Sequence, residues 1–398
     1  MNNKVKTTAE RVARESYGRL VARLAWQWRD IAAAEDALAD AFAAALRHWP
    51  EHGVPDAPEA WLAAVAHRRL LHNARHIRLT QDPRVTTILA EAEAVASENQ
   101  AFPDARLQLM FVCAHPAIPA NVHAPLMLQA VLGLDAKVIA EAFLISPTAM
   151  AQRLVRGKAK IREAGLRFEV PDAQELPARL TAVLEAVYAA YTLGRHVLDS
   201  PTDDLCEEAI FLARLITQIQ PDQAEAWGLL ALLLHVEARR SAQLDAEDRF
   251  VPLAAQNPTD WSGDLIREAE DALWTAANLR QTGPFQIEAA IQSAHAQRRT
   301  TGQTPWRAIT LLYGVLVQQH ASLGARVGQA VAFAEAGSPL TAIELLDALQ
   351  FEAANYAPYW VTRAHVLKLT GMPGREAALQ RAIGLTDDPR LRNFLLTQ

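Results

Sequence analysis

An all-α fold divided among several packed units is predicted by three features of the sequence. Apolar residues recur at helical spacing along most of the chain, alanine and leucine fill most of the apolar positions, and near the C-terminus the pattern repeats with a 34-residue period. At 398 residues the chain exceeds what one ordinary core serves, so two or three domains are expected. A composition of 51% hydrophobic and 21% charged residues suits a soluble, helix-rich protein. No apolar run reaches the roughly 18 residues that a bilayer crossing needs, and Met1 to Glu15 lacks the apolar core of a signal peptide. The expectation is a cytoplasmic protein without membrane contact.

The elements follow in order. From Ala9 to Trp49 the inward positions Val12, Leu20, Leu24, Ile31, Leu38, Phe42 and Leu46 describe two helices meeting near Trp28 to Ile31. PEHGVPDAP, Pro50 to Pro58, holds three prolines and a glycine and reads as a loop. A third helix runs from about Glu59 to Arg78, with Trp61, Leu62, Val65 and Leu70 inward. Residues 79–103 read as a mildly acidic linker, and a helical segment occupies 104–170. Residues 171–398 read as helices throughout. There Gly337 and Gly371, 34 residues apart, each precede an alanine-centred amphipathic helix, at the tetratricopeptide period. Asp245 to Asp264 breaks that period and reads as an irregular insertion.

The strongest local signal is LDAKVIAEAFLISPTAMAQRLVRGKAKIREAG, Leu134 to Gly165. Ser146 then Pro147 combines an N-cap hydroxyl with a proline at the first helical position, and two short helices flank a turn at Leu144 and Ile145. This predicts a helix-turn-helix, although such turns often hold glycine where Leu144 stands. On the second helix Met150, Leu154 and Ile161 face the core. Between Ser146 and Arg167 there are six basic residues and one acid, Glu163. A basic run alone more often just faces water, but the cap, the turn and the paired helices favour DNA binding. The charge balance agrees: residues 1–169 carry 21 Lys+Arg against 18 Asp+Glu, leaving 18 against 27 for the remainder, so nucleic-acid contact belongs to the first part.

On these residues the chain resembles the extracytoplasmic-function (ECF) sigma factors of bacterial RNA polymerase. IAEAFLISPTAMAQRLVRGKAKIR is similar to their region 4, AAAEDALADAFAAALRHW to the polymerase-gripping helix of region 2, and PEAWLAAVAHRRLLHNAR to the part of region 2 that opens and reads the minus-10 element. RLQLMFVCAHPAI, EEAIFLARLITQIQPDQAEAWGLLALLLHVEARRSA and GPFQIEAAIQSAHA resemble the subgroup with a tetratricopeptide-like (TPR-like) extension. The resemblance implies a region 2 bundle over 1–78, a linker over 79–103, a region 4 helix-turn-helix over 104–170 and a TPR-like domain over 171–398. It implies that Glu35, Asp36, Asp40 and Phe42 meet core RNA polymerase, and that Arg68, Arg69 and Arg75 meet the minus-10 strand beside a base-capturing loop at His48 to Ala57. Ser146, Thr148, Gln152, Arg153, Arg156, Lys158 and Lys160 would meet the minus-35 element. The partners implied are core RNA polymerase and promoter DNA, with a protein or peptide on the concave face of the repeats. His72, Asn73, His76 and Ala151 depart from the family pattern and imply a weaker promoter surface.

The second reading is an interaction scaffold with a degenerate, transcriptionally inactive sigma-like half. No phosphate loop, nucleophile elbow or zinc-protease motif occurs, so the chain is not expected to be an enzyme or to hold a cofactor. His72 and His76 have metal-ligand spacing without acidic or cysteine partners. Cys113 and His115 read as a buried thiol and a capping imidazole, and the two cysteines, Cys113 and Cys206, as unpaired.

Overall fold

The computed structural model describes residues 3–78, 104–143, 145–166, 168, 171, 175–196 and 203–398. Among them every regular element is a helix, and the one β-type pairing is the antiparallel bridge Leu244–Phe250. The chain packs as two units, Met1–Leu215 and Ile216–Gln398. The expected linker, 79–103, lies outside the described residues. The division by packing falls at 215/216, whereas the sequence suggested 170/171.

The first unit opens with a three-helix bundle, α1 (Asn3–Trp28), α2 (Ile31–His52) and α3 (Pro58–Arg78). The α1–α2 break comes where expected: Arg29 takes a left-handed φ of 54°, and the Asp30 side chain caps α2 by accepting from Ala33 N at 3.0 Å. Small residues Ala34, Ala37, Ala41 and Ala45 line the buried face of α2, bracketed by Ile31, Leu38 and Trp49, and allow close approach of its neighbours. The loop expected from Pro50 begins three residues later, because α2 runs through Pro50 to His52. A proline in the last turn removes one helical hydrogen bond and leaves the rest intact. Gly53 then ends the helix at φ 86°, donating to Trp49 O at 2.9 Å.

The same unit continues with α4 (Ala105–Cys113), α5 (Ala120–Ala130), α6 (Ala136–Ala142) and α7 (Pro147–Glu163). Asp104 caps α4, accepting from Arg106 N at 2.8 Å, and every residue of this helix from Arg106 to Cys113 is buried. A helix enclosed on all sides needs neighbours on all sides. These are α1, α5 and α8 (Leu176–His196). From α8, Arg179 donates to the carbonyl of Phe111 at 3.3 Å and pairs with Glu175. From α9 (Asp203–Ile219), Glu208 pairs with Arg106, whose guanidinium also holds Asp104 at 2.7 Å and lies 5.2 Å from the Phe211 ring. Burial of an arginine requires such partners.

The second unit carries α10 (Ala224–Glu237), α11 (Gly263–Asn278), α12 (Pro284–Ala296), α13 (Trp306–Gln319), α14 (Leu323–Glu335), α15 (Pro339–Leu349), α16 (Ala357–Thr370), α17 (Arg375–Gly384) and α18 (Pro389–Leu396). Each helix packs on the next, and α14 also packs on α16. Gly337 and Gly371, at φ 93° and 67°, follow α14 and α16, so the two repeat-related glycines perform the same task of ending a helix in the left-handed region. Between α10 and α11 the chain makes only short 3-10 turns, at Arg240–Gln243, Leu253–Ala255 and Pro258–Asp260. Trp261 anchors that insertion: it is buried, donates to Gln256 Oε1 at 3.2 Å, and lies within cation–π range of Arg239 and Arg298 at 6.0 and 5.7 Å. His235 is also buried. Glu270 Oε1 stands 3.5 Å from His235 Nε2 without hydrogen-bonding it, and accepts from Ser293 Oγ at 2.6 Å instead. Burial and Arg239 push the His235 imidazole down to about 3, and burial with Arg239 and Arg298 pushes His295 down to about 4.

Candidate functional site

The axes of α6 and α7 bend by 110° across the turn, within the range of DNA-binding helix pairs. Leu144 lies outside the described residues. Beside it Ile145 N donates to Ala140 O at 3.1 Å, and Ser146 Oγ accepts from Ala149 N at 3.2 Å, starting α7. Met150, Leu154, Gly157 and Ile161 form the buried face. A Cβ at Gly157 would stand 2.6 Å from Val122 Cγ1, so α7 seats on α5 by lacking one there.

The opposite face of α7 presents Ser146, Thr148, Gln152 and Arg156, all exposed, with Lys160 exposed on its flank. Arg156 donates to the Gln152 carbonyl at 3.3 Å, which leaves its guanidinium at the surface. Arg153 turns back, half-buried, and donates to Asn121 O at 3.3 Å. Val155 was not singled out from the sequence. It is 66% exposed and lies about two turns beyond Thr148, about 20° from it around the helix and on the side away from Gln152. Its signal was available: the core positions 150, 154, 157 and 161 put 155 on the outer face.

In the three-helix bundle, Asp36 and Asp40 are exposed and Phe42 is half-buried on α2. Arg68 and Arg69 are exposed on α3, and the side chain of Arg75 lies outside the described set. Arg69 Nε holds Asp40 Oδ2 at 2.8 Å, both side chains 53% exposed. Trp61 is half-buried with its ring 5.6 Å from that of Trp49, and beside it His48 stacks on His52 at 4.0 Å. Thus an aromatic ladder of Trp49, Trp61, His48 and His52 flanks the 48–57 segment, and the two histidines in it were not singled out from the sequence.

Glu35 and Lys158 stand apart from their neighbours. They are 123 positions apart in sequence, form a salt bridge, and each keeps only 14% of its side-chain surface exposed. Burial pushes the Glu35 carboxyl up, Lys158 opposes that, and Asp36 and Asp30 add to it; its second oxygen has no hydrogen-bond partner. Burial and the Glu35 and Asp36 charges also push the Tyr17 phenol up. The Cys113 thiol is buried and pushed up as well, and His115 Nδ1 accepts from Ala117 N at 3.0 Å. Among the described residues no group of three or more His, Cys, Asp or Glu is arranged to hold a metal ion, and no single helix is long and apolar enough to cross a membrane.

Residues 14–79, from the middle of α1 through α3, match sigma-70 region 2, and residues 179–277 match a family of unknown function (DUF6596). The first unit therefore begins with the region 2 of a sigma factor, which supports a role in transcription initiation through core RNA polymerase and promoter DNA. The uncharacterized protein R00370 of Rhizobium meliloti (strain 1021) is 34% identical over 368 residues, 90% of this chain and 87% of that protein, and the chain belongs to its family. No solved structure matches the chain.

Proposed function

We propose that this chain is an ECF-type sigma factor whose helix-turn-helix serves as region 4 on the minus-35 element and whose C-terminal helices form a TPR-like domain for protein contact. The match of α1–α3 to sigma-70 region 2 carries the reading. The exposed acids Asp36 and Asp40 offer charge to a basic polymerase surface, and Arg68 and Arg69 offer charge to the minus-10 strand. On α7, Gln152 is suited to adenine edges, Arg156 to guanine or phosphate, and Val155 to a thymine methyl group. Paired successive helices in the second unit supply the stacking that helical repeats use for protein partners.

The test is run-off transcription with purified bacterial core enzyme and a genomic fragment library, with transcript ends mapped. New start sites that depend on this chain and share upstream elements are expected. If no transcript exceeds core enzyme alone while core binding is also absent, the reading fails and the interaction scaffold replaces it.

A further inference from the structure

The insertion between α10 and α11 reaches the far end of its own unit. In stacked helical repeats each element meets only its neighbours. Here the tip of an insertion near the start of the second unit packs on α18, the last helix of that unit. Arg390 donates to Asp248 Oδ2 from Nε at 2.9 Å and from Nη2 at 2.7 Å, and the Phe250 and Phe394 rings meet edge to face at 5.5 Å. Arg390 and Phe394 are four positions apart on α18 and so share one face.

The tip keeps its shape through bonds of its own. Asp245 Oδ1 accepts from Glu247 N at 3.1 Å and from Arg249 N at 2.9 Å, and Leu244 bridges Phe250. Asp248 takes a left-handed φ of 61°, uncommon for a residue with a side chain. The insertion is held unequally along its length. At its base Trp261 is buried, Arg298 donates to the carbonyls of Leu253, at 2.8 Å, and Gln256, and Ser262 N donates to Ala238 O at 2.8 Å. At its tip Glu247, Asp248 and Arg249 are all exposed. An ion pair open to water on one side holds weakly, so the base is fixed and the tip is removable.

We propose that Arg390 and Phe394 form a docking site for an acidic segment of a partner protein that carries an aromatic side chain, and that the insertion tip is the resident stand-in for that segment. The inference rests on the reading of the second unit as a protein-contact domain. The tip shows what the site accepts: a carboxylate for a guanidinium whose side chain keeps 15% exposure, and a ring for the Phe394 ring. A partner with the same two groups replaces the tip group for group, so the Arg390 charge regains a carboxylate after the exchange. The base of the insertion stays anchored by Trp261 and Arg298 throughout. A tethered tip acts at an effective concentration on the order of millimolar, which sets the affinity that a partner must supply through further contacts of its own.

The probe is a cyclised peptide of residues 243–251 with para-fluorophenylalanine as its aromatic residue, titrated by fluorine NMR against the full-length chain. Asp248→Lys with Phe250→Ser releases the tip and opens the site. The peptide should bind this variant at least tenfold tighter than the parent, whose own tip competes. Addition of Arg390→Glu should remove the binding, and a peptide with lysine at the position of Asp248 should restore it. If the released variant loses the parent's helical content by circular dichroism, Asp248→Ala decides by the same titration, with a threefold gain as its threshold. Equal affinity for parent and released chain, or binding that survives Arg390→Glu, puts the peptide elsewhere and overturns the site. Absence of binding to a folded, released chain overturns it too. The protein-contact reading outlives such a failure, because it rests on the stacked helices as a whole, and the sigma-factor reading stands or falls on transcription by the parent chain.

Discussion

Lys158→Met tests the buried ion pair by leaving its acid behind. The methionine keeps the length and packing of the lysine stem and removes the ammonium, so the Glu35 carboxylate stays at 14% exposure with no counter-charge. Breaking a fully buried pair from one side costs about 3–5 kcal/mol; the residual exposure brings the expectation here to about 2–3 kcal/mol at pH 8. Protonation limits the loss. Burial already holds the Glu35 carboxyl above its usual 4.5, with Lys158 opposing, so deletion of Lys158 raises it further. A carboxyl raised in the folded state contributes stability that is present below pH 4.5 and lost as pH rises through its folded value. The penalty should therefore shrink toward acid, by up to ~1.4 kcal/mol per pH unit across that window. The buried Cys113 thiol reports local opening of this unit, with Cys206→Ala removing the second cysteine. Thiol labelling of Lys158→Met should run about 30- to 150-fold faster than the parent at pH 8 and much closer to it at pH 5.5, each compared at equal pH. A rate within twofold of the parent at both pH values would refute the pair.

Asp40→Lys should abolish co-purification with core polymerase while moving the melting temperature by only a few degrees. Its pair with Arg69 is half exposed at both ends and worth under about 1 kcal/mol; retained polymerase binding would remove α2 from the interface. Arg156→Ala should weaken duplex binding by roughly 1–3 kcal/mol if it reads a base, or reduce the salt slope by about 1 if it meets phosphate. Arg153→Ala should do less, because that guanidinium is turned onto Asn121 O, and equal effects in both assays would contradict the assignment of the outer face. In the second unit, His235 and His295 are held neutral, so stability should fall as pH drops from 6.5 toward about 4 for His295 and about 3 for His235. His235→Leu should flatten that acid limb in hydrogen exchange of α10, and an unchanged limb would count against burial as its cause.

What the sequence disclosed was local. The break near Trp28 to Ile31, Ser146 and Pro147 opening α7, and the 34-residue glycine spacing are signals within a turn or a repeat, and each marks a helix boundary in the structure. Pro50 misled because the rule against proline holds for helix interiors and α2 was already ending. The outer face of α7 was readable from its core positions, though Val155 was passed over as apolar. Long-range contacts were not readable. Glu35 and Lys158 meet across 123 positions, whereas the resemblance assigned them to two separate binding surfaces, and nothing local marks Gly18 as a close approach to the Val131 carbonyl. Arg106 was likewise silent, since its partner Glu208 lies 102 positions away.

Arg106 sets the terms on which this chain can be cut or recombined. Its guanidinium is buried in the first unit and is neutralised partly from within α4's own cap and partly by Glu208, with the Phe211 ring beside it. A chain ended near residue 170, where the sequence suggested a domain boundary, would keep the cation and discard that acid, that ring and the Arg179 contact to Phe111. Such a fragment would expose the enclosed helix α4 and aggregate or unfold. The packing boundary falls in the last turn of α9, so domain swaps between relatives should join just after that helix, with α8 and α9 inherited together with α7 as a single folding cassette.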